Sequence, residues 1–316
     1  MIEMVDPELR AGALQMRESM AAFSPMTVEK LARRRAWQET MVAAPLPDVA
    51  VERHDIPRSG GPDVPVYVVN AKPGAAGPGI LHIHGGGFTA STAMAGMRIV
   101  QQTAVALDCP IVTVDYRLAP ETAHAGSTED IYAALLWTHR NATRIGIDPA
   151  RLGLLGESAG GGHAALLAIR ARDRGEVPIA FQALIYPMLD DRTGSSRPMP
   201  EHIGYFGWNA EANRFGWNCF LGTAPGGDDV PAAAVPARTA DLRGLPPTFI
   251  GVGALDVLVF DGIDYATRLI AAGVSTELLV VPGAFHGFDL LVRDAAASVR
   301  FTDAKLDALR RGLAPR

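Results

Sequence analysis

Leu152-Gly153-Leu154-Leu155-Gly156-Glu157-Ser158-Ala159-Gly160-Gly161-Gly162 carries a short apolar run into a serine set between glycines. Read as a strand that turns at once into a helix, this stretch places a covered α/β sheet at the centre of the fold. The turn is too tight for side chains on either side of the serine, which is why Gly156 and Gly160 flank it. The same geometry lifts the Ser158 hydroxyl clear of the backbone as a candidate nucleophile. The helix expected over 159–172 aims the partial positive charge of its N-terminus at that point. Taken alone, the pattern also fits a plain glycine-rich strand-to-helix turn, so its meaning depends on residues elsewhere.

Outward from the turn, apolar runs and helical stretches alternate. Strands are predicted at 80–83, 110–114, 152–155, 181–185, 248–252 and 276–281. Helices are predicted near 93–107, 128–141, 159–172, 262–272 and 295–313. Continuous Val/Ile/Leu strands alternating with helices indicate a mostly parallel sheet with helices on both faces. Upstream, Leu9, Ala13, Met16 and Met20 recur at helical spacing, and Thr27 is placed to cap a second helix toward Met41, ended by Pro45 and Pro47. Two extended pieces follow, 50–56 and 64–69, joined by a turn at Ser59-Gly60-Gly61-Pro62. Between Leu189 and Gly244 no strand pattern is visible, and Trp208, Phe215, Trp217 and Phe220 cluster among prolines. That stretch reads as an insertion over the sheet, part of a cap, with most of its aromatics packing the cap's own core.

The composition excludes several classes. With 316 residues, 48% of them hydrophobic and 20% charged, the chain has ample material for a core. Its formal net charge of −5 and lack of a Lys/Arg block argue against a nucleic-acid partner. The densest basic run, Arg33-Arg34-Arg35, is expected to form a solvated helix face. Cys109 and Cys219 are expected to be buried free thiols rather than a disulfide. The segment from Met1 to Met20 has Glu3, Asp6 and Glu8 and no apolar run, so it is not a secretory signal. No stretch reaches membrane-spanning length, and a cytoplasmic location is the expectation.

A serine hydroxyl needs a base, and the base needs an acid to orient it. Of eight histidines, His54 precedes the core strands, His82 and His84 end the first of them, and His124 falls in a loop. His139 is helical, His202 lies in the insertion, and His163 sits too near Ser158 on the same helix to fold back. His286 remains, in a flexible loop after the last predicted strand, where open α/β sheets place reactive groups. Asp256 follows the strand ending at Gly253 and is the candidate acid. Asp261, the runner-up, is expected to cap the next helix. The order Ser158, Asp256, His286 is the one expected for a nucleophile on such an elbow. For the anion that attack would generate, His84-Gly85-Gly86-Gly87-Phe88 follows a strand end. The N–H groups of Gly86, Gly87 and Ala159 are the candidate donors, each typically contributing about 10²- to 10³-fold. A phosphate-cradling role lacks the Lys-Ser/Thr that would follow the glycines. His84 is expected to hold the loop rather than react.

Four motifs in order, His84 to Phe88, Asp115-Tyr116-Arg117-Leu118-Ala119-Pro120-Glu121, Gly156 to Gly162, and Ala284-Phe285-His286-Gly287-Phe288, resemble the hormone-sensitive lipase family of α/β hydrolases, in particular its bacterial esterases. The resemblance covers roughly 40–313. It implies the α/β-hydrolase fold with a helical cap built from N-terminal helices (1–45) and an insertion after the sixth strand (190–244), over a catalytic domain of 46–189 and 245–316. It also implies hydrolysis of small-molecule esters with short to medium acyl chains, with no cofactor and no metal. Members with this triple-glycine turn accept bulky alcohols, and similar esterases often form homodimers through the last strand and helix. Phe88, Tyr205, Trp208 and Phe285 are candidate pocket walls. Three departures stand out: Thr122-Ala123-His124-Ala125 replaces a proline-rich stretch and is expected to be a looser loop, Glu157 replaces the usual Asp before the serine, and Val257 replaces Pro after the acid. Amide, thioester or lactone substrates fit the same residues. A non-catalytic receptor similar to the plant gibberellin receptor would keep the serine but lose the base, which is present here as His286.

Overall fold

In chain order the strands of the computed structural model, which describes residues 1–58 and 61–315, are β1 (Val51–Ile56), β2 (Val64–Val69), β3 (Gly77–Ile83), β4 (Ile111–Val114), β5 (Ile147–Glu157), β6 (Phe181–Ile185), β7 (Thr248–Gly253) and β8 (Thr276–Val281). They form one eight-stranded sheet in the order β1-β2-β4-β3-β5-β6-β7-β8. β1 pairs antiparallel with β2, and β2 with β4. Every other pairing is parallel. The two extended pieces upstream therefore widen the sheet. Of the turn expected between them, Ser59 and Gly60 lie outside the described residues.

Burial follows position in the sheet. β4, β6 and β7 are buried along their whole length, as strands covered on both faces must be. The edges β1 and β8 are partly exposed, and β1 carries Glu52, Arg53, His54 and Asp55, charges that discourage edge-to-edge pairing.

The helices are α1 (Arg10–Ala21), α2 (Val28–Thr40), α3 (Met97–Ala106), α4 (His124–Ile145), α5 (Ala159–Arg174), α6 (Ala210–Leu221), α7 (Val259–Ala271), α8 (Phe288–Leu291) and α9 (Ala296–Gly312). Tyr132 and Leu135 of α4, Ala164 and Ala168 of α5, and Tyr265 and Leu269 of α7 pack one face of the sheet. Met97 and Val100 of α3, Phe301 and Leu309 of α9, and Leu9 and Ala13 near the chain start pack the other. A third cluster, Phe88, Trp208, Trp217, Phe220 and Leu258, joins the insertion to the glycine turn. Among the described residues no helix is long and apolar enough to cross a membrane.

Three expectations are corrected, and one is filled in. Thr27 sits at the N-cap of α2 but makes no capping bond there. His124 is the first residue of α4, not a loop residue, because Ser127 and Thr128 donate back to its carbonyl at 3.2 and 2.6 Å and close the first turn. The stretch 122–125 is accordingly a bonded turn into a helix, with Thr122 N–H donating to Leu118 O at 2.9 Å. The insertion holds a regular helix, α6, that no periodicity announced. Its start is capped by Asn209, whose side chain accepts from Ala212 N–H at 2.9 Å.

Candidate active site

Three strand ends meet at one point. β5 runs into Ser158, whose φ of 56° lies in the left-handed region that a residue with a Cβ adopts only under constraint. The constraint is visible. Ser158 N–H donates to Ile185 O at 2.9 Å, and Ser158 O accepts from Gly162 and Met188 N–H at 3.1 and 3.0 Å. A Cβ on Gly160 would stand 2.0 Å from Ile83 O, so only glycine lets α5 start this close to the end of β3.

The loop after β7 carries Asp256, fully buried, and the loop after β8 carries His286. His286 Nδ1 lies 2.7 Å from Asp256 Oδ2, and His286 Nε2 lies 3.0 Å from Ser158 Oγ. A carboxylate can only accept, so Nδ1 bears the proton and Nε2 accepts from the serine hydroxyl. Asp256 Oδ1 is held in turn by Leu258 N–H at 2.9 Å. This arrangement allows the imidazole to take the serine's proton while the buried carboxylate fixes its tautomer. Asp261, the alternative acid, faces away. It does not cap α7 but accepts from Leu189 and Asp190 N–H at 3.1 and 3.0 Å and from Thr193 and Arg197, anchoring the start of the insertion.

Opposite the serine, Gly86 has φ 125° and its carbonyl accepts from Thr89 and Ala90 N–H at 3.3 and 3.1 Å. A Cβ there would meet Ala90 O at 1.9 Å. Among the described residues the N–H groups of Gly86, Gly87 and Ala159 donate to no protein acceptor. The Asp115–Glu121 motif props this turn from behind. Tyr116 stacks on His84 at 4.3 Å and donates to its carbonyl at 2.8 Å. Ala119 N–H donates to Phe88 O at 3.0 Å, and Arg117 binds buried Asp130 of α4 at 2.8 and 2.9 Å. His84 Nδ1 donates to Gly85 O at 2.8 Å, the holding role expected of it. Burial pushes its pKa down to about 4.

The candidate pocket walls separate. Trp208 reaches the site, its ring centroid 6.5 Å from His286 and its edge against Gly87. Phe88 is buried, stacked on Phe220 at 4.2 Å, and Phe285 is fully buried in the core cluster behind the last strands. Tyr205 packs on Phe206 and under Arg17, and lines an outer recess of about 520 Å³ whose lining does not include Ser158.

Sequence reading missed a buried polar line beneath the serine. Glu157 accepts from His82 Nε2 at 2.9 Å, and His82 Nδ1 accepts from Thr113 at 2.8 Å, linking β5, β3 and β4. Burial alone would raise the Glu157 pKa, but His82 and Lys305 outweigh it and hold the carboxyl below its ordinary range. The noted replacement of Asp by Glu157 was the available signal. A second line, Tyr186 OH donating to Asp289 at 3.1 Å, backs His286, whose ring meets Tyr186 edge-on at 4.8 Å.

The expectation for the Arg33–Arg35 run is corrected in part: Arg33 is exposed, as a solvated face requires, but Arg34 is buried and Arg35 half-buried. Arg34 is 4% exposed and donates to Thr89 Oγ1 at 3.1 Å. Arg35 donates to Thr89 O, Ala119 O and Glu121, and Arg33 to Ala22 O. Three of these six hydrogen bonds go to backbone carbonyls, which no charge pattern in the sequence reveals. Both cysteines are free and buried, as expected. Among the described residues no group of His, Cys, Asp and Glu is placed to hold a metal ion.

Comparison with known proteins adds to this geometry. Carboxylesterase NlhH of Mycobacterium tuberculosis is 35% identical over 294 residues, spanning 90% of this chain and 89% of that one. Arylacetamide deacetylase of Oryctolagus cuniculus is 30% identical over 284 residues, 71% of each chain. A solved structure described as bacterial heroin esterase superposes with a TM-score of 0.89 at 37% identity, covering 99% of both chains. Residues 80–290 match the family defined by the alpha/beta hydrolase fold, and with these relatives the chain belongs to that family, in its hormone-sensitive-lipase-like branch.

Proposed function

We propose that the chain is a carboxylic ester hydrolase with Ser158 as nucleophile, His286 as general base and acid, and Asp256 as the group that orients the imidazole. Ser158 Oγ attacks the ester carbonyl carbon as its proton passes to His286 Nε2. The N–H groups of Gly86, Gly87 and Ala159 take the oxyanion. The carbon–alkoxy bond then breaks, and His286 gives the proton to the departing alkoxide. Water, deprotonated by His286, attacks the acyl-serine, the carboxylic acid leaves, and Ser158 regains its proton. The support is the unbroken pair of hydrogen bonds from Ser158 through His286 to Asp256, at 3.0 and 2.7 Å.

In this reading residues 1–45 and 190–244 form a cap over a catalytic domain of 46–189 and 245–316, and acyl chains are short to medium. Two copies pair along β8 and α9, the partly exposed edge of the sheet; a monomer in sedimentation equilibrium would remove that element. The central test is hydrolysis of 4-nitrophenyl butyrate by the wild type and by Ser158→Ala, with fluorophosphonate labelling located by mass spectrometry. Labelling of Ser158 and loss of at least about 10³-fold in kcat by the variant are expected. Full activity in Ser158→Ala would refute the mechanism.

The relative described as arylacetamide deacetylase favours a second reading, in which the same residues cleave an amide. Release of an arylamine from acetanilide at a rate comparable to ester cleavage would favour it.

A further inference from the structure

Arg34 is a buried cation without an anion. Its one hydrogen bond among the described residues goes from Nη1 to the neutral hydroxyl of Thr89, at 3.1 Å, and its guanidinium lies 5.2 Å from the centroid of the Trp208 ring. No carboxylate lies within ion-pair distance of it among the described residues, although the molecule pairs other buried charges. Asp130 is bound by Arg58 and Arg117, Asp191 by Arg238, and Asp261 by Arg197. Leaving a buried charge unpaired is costly, and such groups are normally paired or find an external partner.

The location makes a substrate the natural partner. Thr89 lies two residues beyond Gly87, across Phe88, and Trp208 touches Gly87 with its ring centroid 6.5 Å from that of His286. Arg34 thus adjoins Thr89 and Trp208, the residues beside the glycine turn that borders the serine. Although the residue is only 4% exposed, its Nε and Nη2 groups donate to no protein acceptor among the described residues. Burial, and then neighbouring Arg35, lower its pKa to about 10, which still leaves it charged at neutral pH. A planar guanidinium with free N–H groups binds a carboxylate through two parallel hydrogen bonds.

We propose that Arg34 recognises a carboxylate on the substrate, so that the preferred esters of this chain are anionic, carrying a free carboxylate on the acyl or the alcohol part. This rests on the ester-hydrolase reading above.

The test uses two matched pairs. Mono-4-nitrophenyl adipate against 4-nitrophenyl hexanoate places the carboxylate on the acyl side. The butyrate ester of 6-hydroxyhexanoate against hexyl butyrate places it on the alcohol side. In at least one pair the ratio of kcat/KM, anionic over neutral, is expected to fall roughly 10- to 100-fold in Arg34→Gln, the range for a hydrogen-bonded charge, and less in Arg34→Lys. Ratios within twofold of wild type in both pairs would overturn the proposal. Calorimetry on Ser158→Ala supplies a readout that needs neither turnover nor an Arg34 variant. It should bind the anionic member of one pair at least tenfold more tightly, and equal binding in both pairs would count against the proposal. Failure of the wild type to cleave any of the four esters would refute the hydrolase reading, while the calorimetry would still decide the role of Arg34.

Discussion

Arg35 on helix α2 holds both carboxylate oxygens of Glu121, at 2.7 and 2.8 Å, and with the same guanidinium reaches Thr89 O and Ala119 O. One side chain from the N-terminal helices therefore fastens two of the loops that shape the glycine turn. The ion pair is partly exposed and by itself is worth little. The two carbonyls, left without their donor, raise the cost of removing it. Arg35→Ala should lose about 1–2 kcal/mol in urea unfolding and should expose residues 22–45 to limited proteolysis at native conditions. An unchanged digestion pattern would show that the other contacts of α2 suffice.

Asp256 is fully buried and gives one oxygen to Leu258 N–H and the other to His286. Asn in its place preserves shape but presents a donor to Nδ1, which forces the imidazole into the wrong tautomer. Asp256→Asn should lower kcat for 4-nitrophenyl butyrate by about 10³- to 10⁴-fold with little change in KM. A loss below tenfold would assign the orienting role elsewhere.

Gly86 sets the turn that frees two of the proposed oxyanion donors. Because a Cβ would press on Ala90 O at 1.9 Å and φ is 125°, Gly86→Ala cannot keep the turn. It should lose on the order of 2 kcal/mol of stability and about 10²- to 10³-fold in kcat. Stopped-flow acylation rates and thermal melts separate the two effects. A variant with normal acylation would remove Gly86 from the oxyanion site.

His163 is buried beneath Phe88, Tyr116 and Phe220, and neither ring nitrogen has a hydrogen-bond partner. Burial, with a smaller contribution from His84, pushes its pKa down to about 3, against about 6.5 in an unfolded chain. The folded value is the lower one, so the neutral imidazole's contribution is complete above about pH 6.5 and drains away as pH falls toward 3. The group alone steepens acid destabilisation by up to about 1.4 kcal/mol per pH unit in that window. His163→Phe removes the slope, so its stability relative to wild type should improve steadily between pH 6.5 and 4.5 in urea titrations. A constant difference across that range would mean His163 does not titrate as a buried neutral ring.

Much of this was legible from residue pattern because the physics involved is local. Fully buried parallel strands read as unbroken apolar runs, and β2, β6 and β8 begin and end where the pattern placed them. Ser158, Asp256 and His286 stood at strand ends in an order that only a shared sheet edge explains. What stayed hidden depended on contacts distant in the chain. The α6 helix contains Gly216, which weakens its helical signal and is there because a Cβ would lie 2.8 Å from Gly87 O. Arg34 and Arg35 looked solvated because their partners, a hydroxyl, carbonyls, the Glu121 carboxylate and an aromatic ring, lie far away in the chain. Asp261 sits where a helix cap would sit, yet its bonds go to the insertion more than sixty residues upstream.

The N-terminal segment also has a timetable. Asp6 N–H bonds Gly283 O, Glu8 accepts from Ala296 N–H, and Gly12 of α1 lies against Val292. During synthesis, at roughly 5–20 residues per second, the first dozen residues wait on the order of 15–55 s before these partners leave the ribosome. A nascent chain therefore carries α1 undocked until the loop bearing His286 and the start of α9 have been made, so the docking of α1 is a late event in the birth of the protein.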